Sequence, residues 1–277
     1  MGQELSSAYK DEYEFKLLQK KIRDVRGVDC FQYKATYLKR RLAIRMRAHN
    51  IISYKAYGEF LDAHPDEYDK FFDTLTVNVT EFFRDLDTYD GLYRMVLPEL
   101  IARKHNRTLK VWSAGCASGE EPYSIAILVS EALGLKVNEW GVQIIATDID
   151  PVILARATKG VYTLKQVEGV KEEYLKKYFT IEGNQYAVMP QIKRWVRFIR
   201  ENIMEGNTHP FMDIIFCRNM LIYLSKEAHK QVYDCFHKSL NEGGYLVVGN
   251  SEIVLGETLR RFCPLPEAKR IYQKIEV

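Results

Sequence analysis

From about residue 8 to 75 the chain carries apolar residues at a helical period. Phe15, Leu17, Leu18, Ile22 and Val25 predict a first helix, with Gly27 as its stop. Tyr37, Leu38, Leu42, Ile44 and Met46 predict a second, from about Phe31 to Ala48. A third is expected from Tyr54 to Ala63, ending before His64-Pro65 because the residue ahead of a proline is pushed out of the helical region. A fourth is expected over Glu67 to Leu75. Beyond Leu109 the period changes. Leu109–Ala114, Val142–Thr147, Asp213–Cys217 and Gly244–Gly249 read as strands, and Pro122–Leu133, Val152–Ala157 and Ala228–Leu240 as the helices among them. That alternation predicts βαβ units and a mainly parallel sheet, with any ligand at the C-terminal ends of its strands. Between about 176 and 200 the pattern breaks into Tyr178–Ile181, Gln185–Met189 and Trp195–Phe198, with a turn at Glu182-Gly183-Asn184. These runs are expected to form a small antiparallel insertion.

Composition narrows the function classes. A 277-residue chain with 47% hydrophobic and 28% charged residues matches ordinary globular usage, not disorder. The net charge of +3 gives no general attraction to nucleic acid, so electrostatic arguments must be local. Five cysteines and six histidines are scattered without metal-ligand spacing, which predicts reduced thiols, a reducing compartment and no metal site. No apolar run reaches the length of a membrane span, and a cytoplasmic location is expected. Met1-Gly2-Gln3-Glu4-Leu5-Ser6 fits the loose myristoylation pattern, but without a polybasic patch an ordinary polar N-terminus is expected.

The most informative stretch runs from Val111 to Ser124, where a strand enters a helix through small residues. Gly115 allows a turn and close approach to a ligand, and Ser118 and Gly119 keep that wall thin. The spacing is neither that of a dinucleotide fingerprint nor that of a phosphate loop. Glu120 and Glu121 stand where a phosphate would put its charge, and so suit a cationic ligand such as a sulfonium or ammonium. Equally, they could simply complement the helix dipole. Asp148 closes the next strand, where a carboxylate can accept both ribose hydroxyls; Asp150 is assigned as the cap of the following helix.

With those residues in place the chain resembles the chemotaxis receptor methyltransferases, the CheR family, over nearly its whole length. Four blocks carry the resemblance: Asn78-Val79-Thr80-Glu81-Phe82-Phe83-Arg84-Asp85; Ser113 to Ser124; Ala146-Thr147-Asp148-Ile149-Asp150; and Phe216-Cys217-Arg218-Asn219-Met220-Leu221-Ile222-Tyr223. Asn202-Ile203 looks like the family's Asn-Leu contact on the adenine side, with isoleucine for leucine. The resemblance implies an α/β, Rossmann-like methyltransferase domain over 77–277, with the β insertion at about 176–200, behind an all-helical receptor-docking domain over 1–76. It implies S-adenosylmethionine as donor, S-adenosylhomocysteine as product, and glutamate γ-methyl esters on the cytoplasmic helices of chemoreceptors. Asn78, Thr80, Arg84, Gly115, Glu121, Asp148, Asn202, Ile203, Asn219 and Met220 are then the expected cofactor contacts. Arg84 and Tyr223 fall closest to the transferred methyl.

Each assignment has a plainer alternative. Arg84 could pair with Asp85, and Tyr223 could be a half-buried aromatic capping the sheet. Cys116 and Cys217, near strand ends, are expected to be small buried thiols and not nucleophiles. Lys34, Lys39, Arg40, Arg41, Arg45 and Arg47 crowd the second helix. That helix is a docking face for an acidic receptor helix, a solvated surface or, against the modest net charge, an RNA-binding face. Two other function classes compete: a methyltransferase for nucleic acid or a small molecule, and a non-catalytic module that binds the donor or its product. Arg218-Asn219-Met220-Leu221-Ile222-Tyr223, where many amino-group methyltransferases carry Asn/Asp-Pro-Pro-Tyr/Phe, argues against the first. The presence of Arg84, Asp148 and Tyr223 argues against the second.

Overall fold

The computed structural model describes residues 7–76, 79–252, 254 and 256–275. Asn78 and the Met1–Ser6 pattern lie outside the described residues. The chain divides into two compact units: Met1–Val77 with Tyr223–His229, and Asn78–Ile222 with Lys230–Val277.

The first unit is helical, with α1 (Ser7–Arg26), α2 (Ala35–Ala48), α3 (Tyr54–Ala63) and α4 (Asp66–Leu75). Phe15, Leu18 and Ile22 of α1 pack with Leu38 and Leu42 of α2 and Tyr57, Leu61 and Phe71 beyond. Leu17, Val25 and Ile44, part of the apolar pattern, face solvent. The second helix begins later than its pattern predicts. Asp29 accepts the Phe31 N–H at 3.1 Å and caps a single 3-10 turn, Cys30–Gln32, and the chain is extended at Tyr33 before α2 starts. That extended stretch has a non-local cause. Lys34 N–H donates to the Tyr223 carbonyl at 2.9 Å and Ser225 N–H to the Gln32 carbonyl at 2.8 Å, while Tyr33 and Leu224 form an antiparallel bridge. Backbone pairing therefore holds Tyr223–His229 with the helices, so the helical unit is not confined to the residues before 77.

The second unit opens with α5 (Leu86–Gly91), a π-helical turn (Leu92–Val96) and α6 (Leu97–Arg103). There follow β1 (Thr108–Ala114), α7 (Glu120–Leu133), β2 (Gly141–Asp148), α8 (Pro151–Lys159), β3 (Val161–Thr163) and α9 (Glu172–Tyr178). The chain continues through β4 (Phe179–Glu182), β5 (Gln185–Val188), α10 (Pro190–Lys193), β6 (Val196–Arg200) and β7 (Met212–Cys217). Helix α11 (Lys226–Ser239), whose residues up to His229 group with the first unit, is followed by β8 (Leu240–Val248), β9 (Phe262–Pro264) and β10 (Ile271–Lys274). A seven-stranded sheet has the order β6-β2-β1-β7-β8-β10-β9. Its pairs are parallel from β6 to β8, and β10 runs antiparallel to both its neighbours. Val111, Ile144, Ile214, Phe216 and Val247 fill its centre and pack with Ile125, Ile127 and Val129 of α7.

One expectation is corrected. Val196–Arg200 is not part of the antiparallel insertion at 176–200; it is the parallel edge strand β6, paired with Ile144–Asp148 of β2. Its interleaved arginines suit an edge strand exposed along one side, which sequence alternation cannot tell from a hairpin strand. The small sheet instead recruits Val161–Thr163, in the order β3-β5-β4.

Candidate cofactor site

Parallel pairing brings the C-terminal ends of β6, β2, β1, β7 and β8 to one edge of the second unit. The turn after β1 is built there. Gly115 and Cys116 N–H both donate to the Thr147 carbonyl, at 2.8 and 2.9 Å, drawing the loop against the end of β2. Gly115 has φ +78, a conformation that favours glycine, and a Cβ on it would lie 3.2 Å from the Met220 sulfur, in tight contact with the loop after β7. Gly119, at φ +93, caps α7, and a Cβ there would strike that of Ala157 at 2.9 Å.

Asp148 is the centre of this edge. Its two carboxylate oxygens accept the N–H groups of Ala117 at 2.9 Å and Asp150 at 3.0 Å. No cation among the described residues pairs with it. Burial raises its pKa, partly offset by those backbone donors. A half-buried carboxylate with spare lone pairs and no counter-ion fits a pair of hydroxyl donors such as a ribose diol. Asp150 caps α8, accepting from Val152 and Ile153 N–H at 2.8 and 3.2 Å. The Asp148 carbonyl receives the Glu201 N–H at 2.9 Å, which fixes the start of the Asn202-Ile203 turn beside it. Asn202 caps that turn through Met204 N–H at 3.1 Å.

The two glutamates of α7 separate in role. Glu120 turns to Ser118 at 2.6 Å and to Gln166 at 3.1 Å, which commits it to the loop and the small sheet's flank. Glu121 accepts from Ser113 at 2.8 Å and faces Arg218 at 3.5 Å. Burial raises its pKa against the opposing pull of Arg218.

Arg218 is the residue whose role sequence reasoning missed. Its side chain is 2% exposed, and its Nη2 donates to the Arg84 carbonyl at 2.7 Å and to Asp85 at 2.6 Å. Its guanidinium also lies 5.6 Å from the Tyr89 ring centroid. It thereby ties the 79–85 segment to α7 and to the loop after β7. The only signal in the sequence was its presence in the last of the four blocks.

Arg84 does not pair with Asp85, whose carboxylate Arg218 takes. Its Nη1 donates to the Val79 carbonyl at 3.2 Å, and no carboxylate among the described residues pairs with it. Phe83 and Asp85 on either side have φ of +53 and +61, uncommon for residues with a Cβ and typical of strained functional segments. The Phe83 N–H is anchored by Ser124 Oγ at 2.9 Å. Thr80 is half-buried near the start of the same segment.

Tyr223 is half-buried. It belongs to the helical unit, where its ring centroid lies 4.6 Å from that of Tyr37. Arg40 and Arg41 approach the Tyr37 ring at 5.8 and 5.0 Å. Cys116 and Cys217 are buried, and burial pushes both thiols well above their ordinary range, so neither is a ready nucleophile. No helix among the described residues is long and apolar enough to cross a membrane.

The family model described as CheR methyltransferase, SAM binding domain, matches residues 78–268, and its companion all-alpha domain matches 13–76. A chemotaxis protein methyltransferase of Listeria monocytogenes is 35% identical, over 83% of this chain and 86% of its own. Chemotaxis protein methyltransferase 2 of Vibrio cholerae is 33% identical, over 82% and 80%. The chemotaxis protein methyltransferase of Salmonella typhimurium is 32% identical, over 82% and 78%.

Proposed function

We propose that this chain, which belongs to the CheR methyltransferase family, uses S-adenosylmethionine to esterify glutamate side chains on the cytoplasmic helices of chemotaxis receptors. The family makes it a methyltransferase with a domain for that donor. The observation that carries the reading is the Asp148 carboxylate, held by two backbone donors at a strand end and without a counter-ion among the described residues, beside the thin Gly115 wall.

When bound, the donor supplies a sulfonium methyl, an electrophile that an anion attacks directly. A substrate glutamate is ionised at neutral pH, since its ordinary pKa is about 4.3, so the chain need not provide a general base. Its residues have other work. Asp148 accepts the ribose hydroxyls. Asn202 and Ile203 flank the adenine. Thr80, Glu121, Asn219 and Met220 complete the donor's surroundings. Arg84 orients a carboxylate, of the substrate or of the donor, through its planar fork. Catalysis is then alignment and exclusion of water from the nucleophile.

The basic helix α2 is the proposed receptor face, in a narrower form than its charge run implies. Lys39 is paired with Glu12 at 2.6 Å, and Arg45 holds Glu67 through two bonds of 2.8 Å. Exposed Arg40 and Arg47, with half-buried Arg41, remain to meet an acidic helix.

Incubation with donor labelled in the methyl group and receptor-bearing membranes tests the reaction. Label released by mild base as volatile methanol is the expected result; label that resists base indicates an N-methyl product and removes the ester assignment.

A further inference from the structure

Glu252 is buried in the turn that follows β8, in a segment that contributes none of the proposed cofactor contacts. Its Oε2 accepts the N–H of Asn219 at 2.9 Å and of Gly249 at 2.8 Å, and its Oε1 accepts the N–H of Leu221 at 2.7 Å. One carboxylate thus gathers three backbone donors from two loops. Asn219 is left-handed, at φ +59, a conformation that needs outside support in a residue with a Cβ. Gly249 leaves room for both Asn219 and the Glu252 carboxylate, whose Oε2 would lie 2.9 Å from a Cβ on it. A Cβ there would come within 2.8 Å of the Asn219 nitrogen and 3.0 Å of its side-chain Nδ2. The clasp is itself fixed, because Arg270 donates to the Glu252 carbonyl at 2.9 Å.

We infer that Glu252 is a positioning residue for the donor site, setting the pose of the Asn219-Met220 loop and through it the affinity for S-adenosylmethionine. The inference rests on the cofactor reading above. Asn219 and Met220 are adjacent, and Met220 meets Gly115, so a shift of this loop reaches both walls of the site. A neutral amide at position 252 would keep one acceptor oxygen and turn an NH2 group toward a backbone N–H. An alanine would leave all three donors without their partner.

The test is calorimetric titration of the full chain with S-adenosylhomocysteine, alongside thermal unfolding. Asp213 serves as control: it is equally buried and accepts Lys110 N–H at 2.9 Å and Asn241 at 2.7 Å, but at the opposite end of β7. Glu252→Gln should weaken binding about tenfold and Glu252→Ala about a hundredfold, with Gly249→Ala also weakening it. In initial rates KM for the donor should rise more than kcat falls. Asp213→Asn should lower the unfolding temperature and leave the Kd unchanged. If Glu252→Gln and Gly249→Ala bind like the wild type, whatever their unfolding temperatures, Glu252 is merely structural and the assignment fails. Absence of binding by the wild type would instead overturn the cofactor reading, and this inference with it.

Discussion

Replacing Arg218 with methionine keeps an unbranched, largely apolar stem and removes the cation between Glu121 and Asp85. Arg218 is 2% exposed and Glu121 11%, so the charge left on Glu121 has little access to water. Asp85, at 24%, can partly rehydrate. Removing one partner of a buried ion pair costs about 3–5 kcal/mol, and the exposure of Asp85 puts the expectation at the lower end, about 3 kcal/mol. That is a large share of the roughly 5–15 kcal/mol that holds a typical protein folded. The sign of the pH dependence follows from Glu121. Burial raises its folded pKa above the ordinary value, and Arg218 opposes that rise, so the variant raises it further. A carboxyl with a raised folded pKa favours folding when protonated. The deficit should therefore shrink as pH falls through that raised value, and be largest at neutral pH and above. Adding Glu121→Gln should recover part of the loss, because the two sites are coupled. All three tryptophans, Trp112, Trp140 and Trp195, lie in the second unit, so fluorescence during urea unfolding reports on that unit. A cost below about 1 kcal/mol at neutral pH, or no coupling to Glu121, would refute the reasoning.

Much of the parallel sheet was legible because β1, β2, β7 and β8 are short apolar runs that alternate with amphipathic helices. The loop glycines and Asp148 followed from where such strands end. The first helices of the second unit were not. Leu86–Arg103 is broken by a π-helical turn and carries Gly91 and Pro98, which blur a 3.6-residue period. Val196–Arg200 was misplaced because a short alternating run looks the same in a hairpin and at a parallel edge. Arg218 and Glu252 were invisible as anchors for another reason. Arg218 meets Asp85 across 133 positions and Glu252 meets Asn219 across 33, and only the tertiary fold brings these together. The same holds for Tyr223, whose attachment to the helical unit depends on backbone pairing with Gln32 to Lys34.

Arg84→Ala should lower kcat by at least about tenfold while leaving the unfolding temperature nearly unchanged, because the side chain makes one hydrogen bond to a backbone carbonyl; equal rates would remove it from the site. Charge reversal at Arg40 and Arg41 should weaken receptor binding and flatten its salt dependence, as read by sedimentation with receptor membranes; binding indifferent to both changes removes α2 as the docking face. In the helical unit, burial alone would raise the Glu67 pKa, but bonds from Arg45, Tyr57 and His49 hold it below the ordinary value. Stability from Glu67 should be present above the unfolded pKa and lost as pH falls through the lowered folded one, and Glu67→Gln should abolish that component in circular-dichroism melts at a cost of about 3 kcal/mol at neutral pH. A melt whose acid sensitivity survives the substitution contradicts this.

The most direct measurement is calorimetric titration of S-adenosylhomocysteine into the wild-type chain and into Asp148→Asn. One-to-one saturable binding by the wild type is expected, with the variant weaker by about ten- to a hundredfold, as loss of charge-assisted bonds to a diol requires. Heat that is absent in the wild type, or identical in the two proteins, would contradict a donor held at the end of β2.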